Sequence, residues 1–379
     1  MATEAVIDID ALIQPISEDK PQGEDIREDY SPDSVYYQIK DARSEARTAE
    51  RQRLTHQEDD PEALLQMVPE WNKVLTLAPQ ILTQNGKDLE VAAWYCEALL
   101  RAYAFPGLRD GFKLIHALVE NFWDDLYPMP DEDGMETRVA PLTGLNGEDG
   151  EGTLIVPIRQ VPLTEGYTDL PFAAWQYEQA YEVETIQDPE KKEARLASGA
   201  VSMQAIERAV TETSPAFFIQ LKEDLQECLD DFLALSNSLD EKCGHDSPPS
   251  SNIRNTLKRI IEIFGFMTKN VNLEPEAPAE EVELEEEGAD GEVTATKTVT
   301  KTVTIDNVSI SSRDEAFRAL MKVSDFFKST EPHSPISYNL EQAVKWGHMS
   351  LPDLLKELIP DEHARTEYFK LVGIKDQEE

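Results

Sequence analysis

The chain has 379 residues, with 35 Lys and Arg against 75 Asp and Glu and a formal net charge of −40. That balance argues against nucleic acid and anionic membrane surfaces, which are gripped largely through basic side chains, and it favours solubility and attraction to basic protein surfaces. The length suits two or three domains. The three cysteines form no CxxC pair and read as reduced thiols, the opening residues lack a basic segment followed by an apolar core, and no run approaches about 18 apolar residues, so neither a secretion signal nor a membrane span is expected.

In chain order, the first clear elements are helices. Trp71, Val74, Leu75, Ala78, Ile81 and Leu82 fall at offsets 0, 3, 4, 7, 10 and 11, one stripe of a helix. Leu89, Ala92, Ala93, Cys96, Leu99, Leu100 and Tyr103 repeat the pattern after a loop at Asn85 and Gly86. Pro106 and Gly107 then break the chain, and Leu108, Phe112, Ile115, Leu118, Val119, Phe122 and Trp123 define another face. Short connectors imply antiparallel packing. The run LIVPI at 154–158 reads as an extended segment, because Pro157 is excluded from a helix interior. Further helices are expected over 200–213, 216–243 and 253–266, the last two separated by the DSPPSS loop. Trp71, Trp94, Trp123 and Trp175 read as core aromatics.

Residues 274–292, EPEAPAEEVELEEEGADGE, hold ten acidic residues and no basic ones. Such a segment repels itself and has little to bury, so it reads as a disordered linker. The Val/Thr alternation that follows, VTATKTVTKTVTIDNVSI, admits either a strand or an extended spacer. Beyond it, Ser312 to Glu315 forms a capping box, and Phe317, Leu320, Met321, Ser324 and Phe327 trace one helical face. Ile336, Leu340 and Val344 form the next stripe, followed by helices carrying Leu354, Leu355, Leu358 and Ile359. The expected fold is therefore all-α, with helical bundles at 1–165 and 166–270, a disordered acidic and Val/Thr-rich linker at 271–311, and a small bundle at 312–379. A bundle that small has a marginal core. Phe317, Leu320, Trp346, Met349 and Leu355 are accordingly candidates for self-assembly.

Chemistry finds little support in the sequence. There is no phosphate loop of either common type and no nucleophile elbow or HExxH helix. His333, His348 and His363 lie fifteen apart in the tail without metal-ligand spacing. Cys243 beside His245 suits a helix end and turn better than a nucleophile pair. Asp131, Glu132 and Asp133 give only a fragment of a calcium loop. No catalytic, cofactor-binding or metal residue is assigned, and no cofactor is expected.

The segment PISEDKPQGEDIR at 15–27 resembles the opening motif of the ImpA N-terminal domain. The resemblance continues through Trp71-Asn-Lys-Val74, Lys87-Asp-Leu-Glu-Val-Ala-Ala-Trp94, Glu97-Ala-Leu-Leu100, Gly107-Leu-Arg-Asp-Gly111, Phe122-Trp-Asp-Asp125, Pro141-Leu142 and Pro162-Leu163. In the tail, Arg313-Asp-Glu-Ala316, Glu331-Pro-His-Ser-Pro335 and Ala343-Val-Lys-Trp-Gly347 look like the C-terminal domain of the shorter, baseplate-associated class of TssA proteins of bacterial type VI secretion systems. The resemblance implies a non-enzymatic assembly protein of the baseplate, tail tube and sheath. It implies a C-terminal domain that builds a homo-oligomeric ring, and partners among baseplate, inner-tube and sheath proteins. It also implies a cytoplasmic place, on the cytoplasmic side of the inner membrane through the apparatus. Two rivals stand beside it: an enzyme of unknown type on the same scaffold, and a monomeric acidic adaptor or chaperone for basic partner proteins.

Overall fold

The structure is a computed structural model and describes residues 2–55, 66–132, 134–273, 320, 321, 323, 324, 328, 335–349 and 354. The expected linker, the Val/Thr alternation, the capping box at 312–315, Phe317 and Leu355 lie outside the described residues. Every extended element among the described residues is helical, apart from isolated bridges, so the fold is all-α. The chain divides into two units, Met1–Glu280 and Glu281–Glu379.

In the first unit, α1 (Ile9–Leu12) is capped by the Asp8 carboxylate, which accepts from the Ala11 N–H. Then come α2 (Val35–Thr55) and α3 (Trp71–Gln84), which buries Trp71, Val74, Ala78, Ile81 and Leu82 on the expected stripe. Asp88 caps α4 (Leu89–Phe122), accepting from the Glu90 and Val91 N–H groups.

The expected break in α4 is found at Ala104, whose backbone leaves the helix at φ 54°, ψ −138°. Pro106 thereby falls in the first turn of the second arm, where its missing N–H costs nothing. The two arms fold back as an antiparallel hairpin: Gly107 lies against Leu99, and Gly111 against Cys96. A Cβ at Gly107 would stand 2.1 Å from the Leu99 carbonyl oxygen, and one at Gly111 2.6 Å from Cys96 Sγ. Glycine is what lets the arms touch.

α5 (Met135–Asn146) and α6 (Ile155–Gln160) follow. The extended reading of 154–158 is corrected: Pro157 sits in the first turn of α6, where no intrahelical N–H bond is lost. α7 (Ala174–Thr185), α8 (Pro189–Ala197), α9 (Met203–Glu212), α10 (Pro215–Cys243) and α11 (Ser251–Met267) complete the unit. Ser202 and Ser214 cap α9 and α10. α4 packs against α3, α5 and α10, and α10 against α11. One apolar core runs from Leu12 to Met267, so residues on both sides of position 165 share it. Phe112 of α4 meets Phe232 of α10 with ring centroids 4.9 Å apart. Trp71 and Trp94 are buried and Trp123 half-buried, but Trp175 is 40% exposed and is not the core residue expected.

The second unit contains α12 (Pro335–His348). Val344 is buried, while Leu320, Leu340, Trp346 and Met349 are half-buried. Ile336, expected on the buried stripe, is exposed, as is Tyr338; the stripe turns its first residue outward at the start of the helix. Ser324 Oγ donates to the Ser337 carbonyl at 2.9 Å. The Trp346 indole N–H is buried and has no acceptor among the described residues.

Candidate functional site: a charged frame around the helical hairpin

The motif residues of the N-terminal region converge on the α4 hairpin. The 15–27 segment pairs with the loop before α4: Glu24 N–H donates to the Asn85 carbonyl at 2.9 Å, and Lys87 N–H to the Gln22 carbonyl at 2.7 Å. Gly23 makes this possible. Its φ is +76°, and a Cβ there would lie 2.2 Å from the Asn85 oxygen. Arg27 then reaches the start of α4, donating to Asp88 and to Glu90 Oε2, the latter at 2.6 Å, while its guanidinium lies 4.9 Å from the Tyr36 ring centre. Burial alone would lower the Arg27 pKa, but Asp88 and Glu90 outweigh it and raise it above its ordinary value.

Lys87 is enclosed completely. Its Nζ donates to the Leu12 and Leu82 carbonyls at 2.7 and 2.6 Å and lies 5.5 Å from the Phe122 ring centre. With carbonyls rather than a carboxylate around it, burial pulls its pKa down to about 8. One lysine thus ties α1, the end of α3 and the end of α4 together.

Two more arginines brace the first arm. Arg43 of α2 pairs with the buried Glu97, whose other oxygen has no hydrogen-bond partner among the described residues. Arg101 binds Glu50, which also accepts from the Trp71 indole N–H at 2.7 Å, and its guanidinium stacks 4.4 Å from the Trp71 ring centre. On the second arm, Arg109 donates to Asp110 at 2.8 Å, to Glu227 at 3.2 Å and to Asp224 at 3.4 Å. Its remaining bonds go to the Thr3 and Glu4 carbonyls, while Val6 N–H donates to Asp110 at 2.6 Å.

These groups are spent on one another, which suits positioning of helices rather than turnover of a substrate. The thiols of Cys96 and Cys228 are fully enclosed and burial pushes both up. Cys243 is buried too, while the neighbouring His245 side chain is 93% exposed and faces Asp246. Asp25 and Glu24 bind Arg27 and Lys20, and Asp131 accepts from Thr137. Among the described residues no three His, Cys, Asp or Glu side chains gather as a metal site would require. A cavity of about 30 Å³ between α4, α5 and α10, lined by Phe112, Leu142, Phe232 and Leu239, holds little more than a water.

Of the five residues expected in self-assembly, Leu320, Trp346 and Met349 are half-buried in the second unit. Phe317 and Leu355 lie outside the described residues. Asp224, Thr3, Arg43 and Glu50 were missed by sequence reasoning. Asp224 left a usable signal: it is a carboxylate adjoining Leu221 and Leu225 on the apolar face of α10.

Among the described residues no helix is long and apolar enough to cross a membrane. Residues 13–147 match the family model described as ImpA, N-terminal, type VI secretion system. The chain is 24% identical over 363 residues to the type VI secretion system component TssA1 of Pseudomonas aeruginosa, covering 94% of this chain and 96% of that protein. Its fold is similar to the solved N-terminal domain, including the conserved ImpA_N region, of the TssA component of the type VI secretion system from Burkholderia cenocepacia. There the TM-score is 0.57 and the identity 26%, covering 72% of this chain and 99% of that one. Gly23, Gly107, Gly111, Lys87 and the pairs made by Arg27, Arg43 and Arg101 lie inside the matched region, which is an ImpA N-terminal region, and in sequence and fold the chain is similar to TssA components of type VI secretion systems.

Proposed function

We propose that this chain is a non-enzymatic assembly protein of a type VI secretion apparatus, acting in the cytoplasm at the baseplate and in building the tail tube and sheath. In this reading it belongs to the shorter, baseplate-associated class, and its second unit forms a homo-oligomeric ring that presents copies of the first unit to baseplate, inner-tube and sheath proteins. The observation that carries the reading is that likeness to TssA1 runs through 94% of the chain, tail as well as head. Two features support it further. Arg27, Arg43, Arg101 and Arg109 of the first unit are paired with carboxylates that brace its helices. The second unit leaves Ile336 and Tyr338 exposed beside half-buried Trp346 and Met349, apolar area of the kind that closed assemblies cover.

The test is made in the cells that produce the apparatus, with fluorescent sheath protein as the readout. Deleting this chain is expected to abolish sheath growth. The full chain restores it, and residues 1–273 alone do not. Sheaths that grow normally without the chain, or full rescue by residues 1–273, would contradict the reading.

A further inference from the structure

Trp175, expected in the core, instead stands exposed at the start of α7, and it is not isolated there. α6, α7 and α11 pack on one another, and the Glu178 carboxylate of α7 joins their outer sides. Its Oε2 accepts from Arg159 of α6 and its Oε1 from Arg259 of α11, both at 3.0 Å. Val156 lies three positions from Arg159, Trp175 three from Glu178, and Phe266 seven from Arg259. Each therefore shares a helical face with its member of the bridge and stands within about 11 Å of it along its helix. Val156 is 43% exposed and Phe266 62%. Exposed Tyr181 adjoins the group through half-buried Tyr177, whose hydroxyl feels both Tyr181 and Arg259.

Single apolar residues on a surface need no explanation, but several around one bridge form a patch. Trp, Tyr, Phe and Arg are the side chains in which interface cores are rich. The charges at the middle of the patch are matched within it: Arg159 and Arg259 are taken by Glu178, and Arg259 also by Glu262 at 3.3 Å. What remains is Glu182, exposed one turn beyond Glu178 on the same face and, among the described residues, paired with no cation. α7 holds Glu178, Glu182 and Glu184 and no Lys or Arg. Arg254 and Lys258 of α11 are turned about 100–140° away from Arg259.

We propose that this face of α6, α7 and α11 is the docking surface for a basic segment of a partner protein. The segment lays apolar side chains on Val156, Trp175 and Phe266 and sets Lys or Arg at the rim, by Glu182 and over the exposed ring of Trp175. The charge of the chain selects that partner. At −40 it draws basic surfaces in over long range, and the apolar patch holds what arrives. A second copy brings another −40 and a second Glu182 to the same place, and nucleic acid and anionic lipid meet the same repulsion. The surface lies outside residues 13–147, the stretch that the family model matches. The proposal rests on the assembly reading only for the partner's being a component of the apparatus.

The probe is a fluorescein-labelled helical peptide of about five turns, with Leu along one face and Lys on the rest. It is titrated into the full chain at physiological ionic strength and read by anisotropy. Trp175→Ala and Phe266→Ala should each weaken binding about tenfold, the order expected of an interface anchor. Neither changes the net charge, so the loss cannot come from weaker steering. Tyr30→Ala, at an exposed tyrosine in the loop before α2, should bind as the native chain does. A peptide with Glu for every Lys should bind at least about tenfold more weakly. Three outcomes would each overturn the proposal: binding indifferent to Trp175→Ala and Phe266→Ala, equal binding of the Lys and Glu peptides, or self-association that falls in Trp175→Ala by sedimentation, which would make the face a contact between copies. Hydroxyl-radical footprinting of the native chain needs no variant. The peptide should shield Trp175 and Phe266 from oxidation and leave Tyr30 as it was, and unshielded rings overturn the proposal. The test uses no apparatus, so its failure leaves the assembly reading standing.

Discussion

Arg109 on the second arm of α4 and Asp224 on α10 face each other with Nη1 3.4 Å from Oδ1, both side chains almost wholly enclosed. Asp224 also accepts from the Thr3 N–H at 2.8 Å and the Thr3 hydroxyl at 2.6 Å. One carboxylate thus joins the N-terminal segment, the hairpin and α10. It links the region matched by the family model, residues 13–147, to a helix that lies beyond it.

Removing one member of a buried pair strands the other, at a cost of about 3–5 kcal/mol. Asp224→Ala is therefore expected to lower stability by about that amount, read from the urea midpoint. Glu227 binds the same guanidinium from a position 46% exposed, and Glu227→Ala should cost about 1 kcal/mol or less. Equal losses in the two variants would show that the enclosure of Asp224 does not matter.

The hairpin makes a steric prediction. At Gly107 an added Cβ meets backbone, which cannot swing aside, so Gly107→Ala should destabilise by about 1–3 kcal/mol. Gly144 in α5 has open space around it, and there alanine should stabilise by about 0.5–1 kcal/mol. Thermal melts of the two variants should move in opposite directions.

Much of this was legible in the sequence, for reasons that differ by element. The Trp71 to Leu82 stripe could be read because a helix that buries one face must repeat its apolar residues. The hairpin break was placed near Pro106 but falls at Ala104, because proline punishes the turn before it rather than its own position. The reading of 154–158 failed on the same residue type, since proline is excluded from helix interiors but not from first turns. Trp175 looked like core because period alone does not say whether a facing helix covers it. The network of Thr3, Arg109 and Asp224 was hidden because its members are more than a hundred residues apart. The motif residues Gly23, Lys87 and Asp88 were visible as a family pattern, but only the fold shows that they hold the 15–27 segment against α4.

Lys87 makes stability depend on pH. Its pKa is about 8 when folded against 10.5 as an ordinary lysine. Between those values the unfolded chain binds the proton and the folded chain does not, so stability rises as pH climbs from about 8 to 10.5 and is lost as pH falls through about 8. Cys96, Cys228 and Cys243 act oppositely, because burial raises their thiols and their stabilisation fades as pH rises. The difference between the native chain and Lys87→Met isolates the lysine. The native chain should gain about 1–3 kcal/mol on the variant between pH ~8 and ~10. A flat difference would mean that Lys87 is not held in a depressed state.

A charge of −40 should steer basic partners. Association with a basic component of the apparatus is expected to slow as ionic strength rises, read from stopped-flow on-rates. An on-rate indifferent to salt would assign the charge to solubility alone.

Trp346 is half-buried on α12, two positions from the buried Val344, and its indole N–H has no acceptor among the described residues. Trp346→Ala is expected to weaken self-association, seen as a lower assembled fraction in sedimentation at a given concentration. The helical content should remain that of the native chain. An unchanged assembled fraction would place the interface on another face of the second unit.

The most direct test of the account is the native mass of the full chain beside that of residues 1–273, which contain the core of the first unit. The account predicts a closed assembly at a fixed multiple of 42.7 kDa for the full chain and at most small oligomers for the shorter one. A full chain that remains at 42.7 kDa, or an assembly that persists undiminished in residues 1–273, would contradict it.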